Sequence, residues 1–309
     1  MVNAILISLL IIVGAIVLLL FFSALVYSRQ LVRSHRQPII RTPKDYRLKY
    51  EEVEFKSTDG IKIKGWFIPG ATKKAVLISH PFTFNRHGFE PKNQGWLKLY
   101  NTPVDMLTTA KEVNKAGYSS LMFDFRNHGE SGRGITGIGV NESQDALGAL
   151  AYLKSRPEVD PDHIGLVGFC MGANAFITML DKTTMPKCLI AIQPTSLAVT
   201  ANGYLKKFAG SFLTSIFIWL TGKMAKLQGG YELPQMSPCR FAHQIKIPTL
   251  YIQAASDPWG TVADVKSFYD LTKAKKEFWV IKGKMKRFDT YNYVGEHPEK
   301  IIKFLNHYV

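Results

Sequence analysis

The segment Gly168-Phe169-Cys170-Met171-Gly172 places a cysteine midway between two glycines. A strand-like apolar run, Ile164 to Val167, precedes it, and a helix-like run, Ala173 to Leu180, follows it. Strand, tight turn and helix are the context of a nucleophile elbow, where flanking glycines avoid collisions with the neighbouring backbone. At a helix N-terminus, unpaired N–H groups and the helix dipole favour a thiolate. We therefore predict Cys170 as a nucleophile; the alternative interpretation is a buried structural cysteine.

The rest of the chain must supply the elements that position this cysteine. An Asp59-Gly60 pair predicts a hairpin between two strand-like runs at the start of the domain. Further on, short apolar runs alternate with helix-length patterns, which predicts a mostly parallel sheet with helices on both faces. The predicted strands are Tyr50 to Lys56, Ile61 to Phe67, Ala75 to Ser79, Tyr118 to Phe123, Ile164 to Val167, Leu189 to Ile192, Thr249 to Ile252 and Phe278 to Ile281. The predicted helices are Val104 to Ala116, Glu142 to Lys154, Ala173 to Leu180, Val262 to Thr272 and Glu299 to His307.

The order of these elements, the elbow and the turn Asp124-Phe125-Arg126-Asn127-His128-Gly129-Glu130-Ser131 resemble the α/β-hydrolase superfamily. The elbow spelling G-F-C-M-G is similar to dienelactone-hydrolase-like members, which use Cys, His and Asp, and to polyhydroxyalkanoate synthases. The resemblance implies an α/β-hydrolase fold, with a lid inserted between the sixth and seventh strands.

The resemblance also implies positions for the other parts of the site. The acid follows the strand after the lid, which assigns Asp257; a turn cap before Pro258 is the alternative. The oxyanion donors are the backbone N–H groups of Phe82, in the loop after the third strand, and of Met171, directly after the nucleophile. His80 is expected to brace that loop.

The position expected for the general base departs from the pattern of the superfamily. Arg287 stands where the resemblance implies a histidine. A guanidinium cannot accept a proton at neutral pH, but it can pair with Asp257 and stabilise a thiolate at Cys170. His297 is a weaker alternative base, because Lys284 to Gly295 would have to fold inward to bring it to the nucleophile.

The N-terminal run Ala4 to Tyr27 carries no charge and is long enough to cross a hydrocarbon core of ~30 Å, so it predicts a transmembrane helix rather than a cleaved signal. Seven basic residues and one acid follow before Tyr50, which predicts a single-pass protein whose large domain faces the cytoplasm. We expect an anchor at residues 1–28, a basic juxtamembrane linker at 29–48 and a hydrolase domain at 49–309, with the lid at about 195–244.

The lid contains the apolar run Ser211 to Leu220, which suits either a lid helix on the core or one that dips into the membrane interface. With the anchor, it favours a lipid-like acyl substrate. The net charge of +15 has no nucleic-acid motif beside it, so the bilayer is the expected partner; no protein partner is indicated. No phosphate-binding glycine loop or metal-ligand spacing indicates a cofactor.

Two functional hypotheses remain. The first is a membrane-anchored hydrolase or acyl-transfer enzyme that acts on an ester or thioester through Cys170. The second is a non-catalytic pseudo-hydrolase that binds a ligand or partner, because Arg287 replaces the usual histidine.

Overall fold

The structure is a computed structural model that describes residues 2–93 and 101–309. The strands are β1 (Glu51–Lys56), β2 (Lys62–Ile68), β3 (Ala75–Ser79), β4 (Gly88–Phe89), β5 (Val104–Asp105), β6 (Ser119–Phe123), β7 (Ile164–Phe169), β8 (Cys188–Ile192), β9 (Thr249–Ala254) and β10 (Lys276–Ile281). The helices are α1 (Val2–Val32), α2 (Met106–Lys115), α3 (Glu142–Lys154), α4 (Met171–Met179), α5 (Leu197–Leu227), α6 (Cys239–Ala242), α7 (Val262–Leu271), α8 (Arg287–Glu296) and α9 (Glu299–Tyr308).

Eight of these strands form one sheet in the order β1-β2-β6-β3-β7-β8-β9-β10. The first two pairings are antiparallel, and the hairpin turn places Gly60 at a φ of +87°, which a glycine adopts without steric cost. From β6 onward the pairings are parallel. The predicted fold class is therefore confirmed, including the insertion between the sixth and seventh strands of this sheet.

Helices cover both faces of the sheet. The strands β3, β6, β7 and β8 are buried along their whole length, as expected for parallel strands between two helical layers. Two clusters of buried apolar residues result, one that includes Leu153 and Phe176 and one that includes Leu107 and Tyr291. The carboxyl ends of the central strands carry the candidate site.

The N-terminal helix α1 is long and apolar enough to cross a membrane. It continues to Val32, past the predicted end of the anchor at residue 28. Residues 2–19 are exposed, whereas Leu31 and Val32 are fully buried against the rest of the chain. The last turns of this helix are therefore part of the globular domain.

The following segment, predicted as a separate basic linker, also packs on the domain. Asn85 donates its Nδ2 to the carbonyl oxygens of Gln37 and Pro38, each at 3.1 Å. Arg36 donates to the Ser131 carbonyl. Tertiary hydrogen bonds that no local pattern encodes therefore hold this basic segment against the domain.

The lid is built mainly from one broken helix. Gly210 interrupts α5 with a φ of 67° and a ψ of 173°, so the helix consists of two halves joined by a non-helical residue. A short 3₁₀ turn at Leu233–Met236 and the helix α6 complete the insertion before β9.

The segment after β10, expected to be a loop, instead forms α8. Asp289 caps its first turn by accepting a hydrogen bond from the Lys286 N–H at 2.9 Å. Phe288, Tyr291 and Val294 are buried on one side of the helix. Helical spacing of these three residues explains why the segment folds as a helix against the core.

Candidate active site

Cys170 lies at the turn between β7 and α4. Its φ of 50° and ψ of −110° are a strained conformation for a residue with a side chain, as a nucleophile elbow requires. A Cβ on Gly168 would lie 2.7 Å from the Ala173 backbone, and one on Gly172 would collide with Ser79. Both glycines are therefore needed for the close contacts that hold the elbow.

The contact between Gly172 and Ser79 also relates the elbow to the loop that contains Phe82. Ser79 ends β3 and is the register partner of Gly168 in β7, so the loop that follows β3 begins beside the elbow. Among the described residues, no protein acceptor takes a hydrogen bond from the N–H of Phe82 or of Met171. Neither N–H is therefore taken by a protein acceptor in the described part of the chain, which is a condition for an oxyanion donor.

Two buried histidines hold this loop. His80 accepts a hydrogen bond from the Phe125 N–H at 3.1 Å and contacts the Pro81 carbonyl through Nδ1 at 2.7 Å. His128 accepts from the Thr83 N–H at 3.3 Å. Burial lowers the pKa of each imidazole to about 3, so both stay neutral and keep an acceptor nitrogen. His80 therefore braces the loop, as expected.

Asp257 follows β9 and has no exposed side-chain surface. Its Oδ1 accepts from the Trp259 N–H at 2.9 Å, while Oδ2 accepts from the side-chain amides of Gln193 and Gln253 at 3.1 and 3.2 Å. Several donors to a buried carboxylate stabilise its charged form. The group is therefore suited to hold a cation.

That cation is Arg287, the first residue of α8. Its Nη1 donates to Asp257 Oδ2 at 2.6 Å and its Nη2 donates to the Gln193 carbonyl at 2.7 Å. Burial acts to lower the pKa of Arg287, but interactions with Tyr291, Asp257 and Cys170, including a side-chain hydrogen bond to Cys170, raise it well above the ordinary value. A fixed positive charge thus faces the cysteine.

Gly260 makes room for this pair. A Cβ at residue 260 would lie 2.6 Å from Arg287 Nη1 and 3.1 Å from Asp257 Oδ2. The absence of a side chain here is therefore a condition for the ion pair in its observed geometry.

Tyr291 is a site residue that the sequence interpretation missed. It lies one turn after Arg287 on α8, is 1% exposed, and interacts with the Cys170 side chain. Its hydroxyl has no well-aligned hydrogen-bond partner among the described residues. Burial raises the pKa of Tyr291 well above its ordinary value, so the phenol stays protonated. The four-residue spacing from Arg287 would have indicated it once a helix was assumed.

His297 is not brought to this site. It is exposed and lies at the C-terminal end of α8, about 15 Å along the helix axis from Arg287. Its ring packs on Tyr293 instead, with centroids 4.3 Å apart. The described residues contain no group of three or more His, Cys, Asp or Glu side chains that could hold a metal ion.

The chain shares sequence and fold with known proteins. Residues 106–200 match the Dienelactone hydrolase family, a range that contains Cys170 and Met171 but not Phe82, Asp257 or Arg287. A thiohydrolase of Arthrinium phaeospermum is 29% identical over 149 residues, which cover 47% of this chain and 43% of that protein. A polyketide transferase of Stachybotrys chlorohalonatus is 23% identical and covers 70% of this chain and 75% of its own length. The chain therefore spans less than half the length of the first of these relatives.

The structural match covers a larger part of the chain than these sequence matches do. An esterase of Pyrococcus furiosus superposes with a TM-score of 0.69 at 26% identity, covering 89% of this chain and 97% of the esterase. Both comparisons agree with the α/β-hydrolase fold.

Proposed function

We propose that this chain, which belongs to the α/β-hydrolase superfamily, is a membrane-anchored acyl-transfer enzyme or hydrolase that acts on thioesters through Cys170. The observation that carries the proposal is the buried Arg287 guanidinium beside Cys170, in place of a base. A permanent positive charge stabilises a thiolate but cannot relay a proton.

The acyl-enzyme would form without proton transfer. The Cys170 thiolate attacks the carbonyl carbon, and the N–H groups of Phe82 and Met171 stabilise the oxyanion. Collapse of the intermediate breaks the bond to the leaving group and leaves an acyl thioester on Cys170. A thiol leaves as a stable thiolate, whereas an alkoxide requires a proton from a general acid, so thioesters are favoured over oxyesters.

The second half of the reaction favours transfer. A thiolate acceptor attacks acyl-Cys170 and regenerates the Cys170 thiolate, again without proton transfer. Water would need a general base, and such help contributes about 10²–10⁴-fold to a rate. We therefore expect transfer to a thiol to outpace hydrolysis.

The names of the relatives support this class of reaction. Those similar to this chain include a thiohydrolase, a polyketide transferase and, in Aspergillus calidoustus, an acyltransferase at 25% identity. These names describe hydrolysis or group transfer, and the substrate proposed for this chain follows from its own site.

The contacts of α1 support a retained anchor. Cleavage at the end of the apolar run would remove Ala24, which is fully buried in the folded chain. The Thr136 N–H donates to the Val32 carbonyl at 3.0 Å, which ties the end of the helix to the domain. The basic residues after the apolar run favour a cytoplasmic domain.

The test is intact-mass analysis of the full chain in detergent after exposure to matched butyryl thioester and butyryl oxyester. We expect a single acyl adduct, formed faster from the thioester and absent in Cys170→Ala. Cys239→Ala is the matched control, because Cys239 is also partly exposed. An adduct that survives in Cys170→Ala would contradict the nucleophile, and no adduct on the wild type would favour the binding hypothesis.

Release of the adduct tests the role of Arg287. A thiol acceptor should clear the wild-type adduct faster than buffer alone does. Arg287→His introduces a base beside Asp257 and should speed release by water. Equal release from the wild type and this variant would contradict the position assigned to residue 287.

A further inference from the structure

The end of α1 packs along the second half of the lid helix α5. Its buried side follows a helical stripe of Leu20, Ala24, Ser28 and Leu31. The small side chains at positions 24 and 28 allow close approach between helices. Tyr27 contacts Phe217 with ring centroids 5.8 Å apart.

The contacts fix the relative direction of the two helices. Gln228 Nε2 donates to Ser28 Oγ at 2.8 Å, and a Cβ on Gly230 would lie 2.8 Å from Val32. Residues later in α1 therefore meet residues later in the lid, so the helices run side by side in the same direction. Positions before Phe217 in α5 lie beside the apolar run of α1.

Both helices change from apolar to basic within the stretch where they pack together. In α1 the uncharged run ends at Tyr27 and Arg29 follows. In α5 the uncharged run Ser211 to Leu220 is followed by Lys223 and Lys226, which both pair with Glu232 at 3.1 Å. Matching transitions on adjacent helices mark one boundary between hydrocarbon and head groups.

The exposed side chains of this half of α5 suit that environment. Phe212 is 76% exposed and Trp219 is 61% exposed. Phe212 precedes Phe217 by about 7.5 Å along the helix axis, on the side away from Lys223 and Lys226. Lys206 and Lys207 precede Gly210 and so belong to the other half of α5. An apolar aromatic residue exposed at that depth is expected in lipid rather than in water.

A largely apolar cavity of about 460 Å³ lies between the two halves of α5. Val199 from the first half and Ser215, Ile218 and Trp219 from the second half line it, with Leu233. The first half also packs on the acid loop, since a Cβ on Gly203 would lie 2.9 Å from the Pro258 carbonyl. The cavity therefore lies between the membrane-level half of the lid and the half that contacts the active-site loop.

We propose that the second half of α5 is inserted in the membrane beside α1, and that the cavity takes the acyl chain of a long-chain thioester directly from the bilayer. The catalytic step rests on the proposed function, whereas the insertion of α5 does not. The substrate class follows from the position of the cavity. An acyl chain that enters beside Trp219 comes from the lipid bilayer and not from the aqueous phase.

Insertion is measured by the accessibility of nitroxide spin labels on the full chain. The native cysteines are replaced by serine, and the labelled protein is reconstituted in vesicles of neutral and anionic phospholipid. Spin labels at Phe212→Cys and, as the lipid reference, Leu18→Cys should be accessible to oxygen and protected from a water-soluble nickel relaxant. Leu271→Cys is the matched control, an exposed apolar residue on the domain surface. Nickel access at residue 212 equal to that at residue 271 would overturn the insertion.

The cavity is tested separately with Val199→Trp, which fills it. Acylation of Cys170 by palmitoyl thioester in vesicles should slow by about tenfold or more, while acylation by soluble butyryl thioester stays unchanged. Equal rates for the long chain in variant and wild type would overturn the acyl site. Failure of butyryl acylation in the wild type would instead refute the proposed function, and the spin-label result would stand by itself.

Discussion

Acidification should destabilise the domain through the two buried histidines that hold the oxyanion loop. His80 and His128 have a folded-state pKa of about 3 against an ordinary 6.5, because burial disfavours the imidazolium; the rings are 5.1 Å apart. Below pH 6.5 the unfolded chain binds protons that the folded chain does not. Stability is therefore fully present above 6.5 and falls as the pH drops toward 3.

The size of the effect follows from these pKa values. At pH 5 each histidine lowers the free energy of unfolding by about 2 kcal/mol relative to neutral pH, so the pair lowers it by about 4 kcal/mol. With an unfolding entropy of about 2.1 cal/mol/K per residue, the contribution of the two histidines corresponds to a fall in Tm of about 6 °C. Asp145 acts in the opposite direction, because burial raises its pKa to about 7 and its protonation between pH 7 and pH 5 favours the folded chain.

The assay is intrinsic-fluorescence thermal unfolding of the full chain in a non-ionic detergent, compared at pH 7 and pH 5. His128→Gln keeps an acceptor for the Thr83 N–H and does not titrate, so acidification should lower its Tm by about 3 °C less than it lowers the wild-type Tm. His163→Gln, at an exposed histidine paired with Asp160, should show the full fall. An equal change in Tm between the two pH values in the wild type and in His128→Gln would refute the reasoning.

Three further substitutions test the site and the anchor. Gly260→Ala should displace Arg287 by overpacking, cost about 1–3 kcal/mol of stability and slow alkylation of Cys170 by iodoacetamide at neutral pH. Tyr291→Phe removes a hydroxyl that has no well-aligned partner, so Tm should change by less than about 2 °C while acylation of Cys170 slows; an unchanged acylation rate would leave the hydroxyl without a catalytic role. Leu31→Ala should cost about 2–5 kcal/mol, measured as a lowered Tm, if the end of α1 is part of the folded core; an unchanged Tm would contradict that packing.

The sequence predicts well those elements whose pattern is local. The helix Glu142–Lys154 and the strand Ala75–Ser79 have the predicted bounds, because apolar spacing and length define each of them. The elbow is equally local, since its glycines and its flanking strand and helix are contiguous. The placement of Asp257 beside Arg287 agrees with the resemblance, and their catalytic roles remain predictions.

The segments that the sequence pattern does not predict are those whose structure depends on tertiary contacts. The segment after Val32 has no periodic pattern, and its packing depends on donors such as Asn85 that are distant in sequence. The helix α8 buries Arg287 and Thr290, polar residues that weaken its apolar pattern. Tyr291 was missed for the same reason, because its role depends on the turn that relates it to Arg287.

The proposed replacement of a catalytic histidine by Arg287 would change what the site can catalyse. A histidine next to Asp257 would take a proton in one step and return it in the next, which lets such a site use alcohols and water. Arg287 keeps its proton throughout, and its ion pair with Asp257 fixes it beside the cysteine. The reactions that remain accessible are those in which nucleophile, leaving group and acceptor are all stable as anions near neutral pH. Thiols meet this condition and alcohols do not, so the same substitution that argues against an ordinary esterase argues for exchange between thioesters.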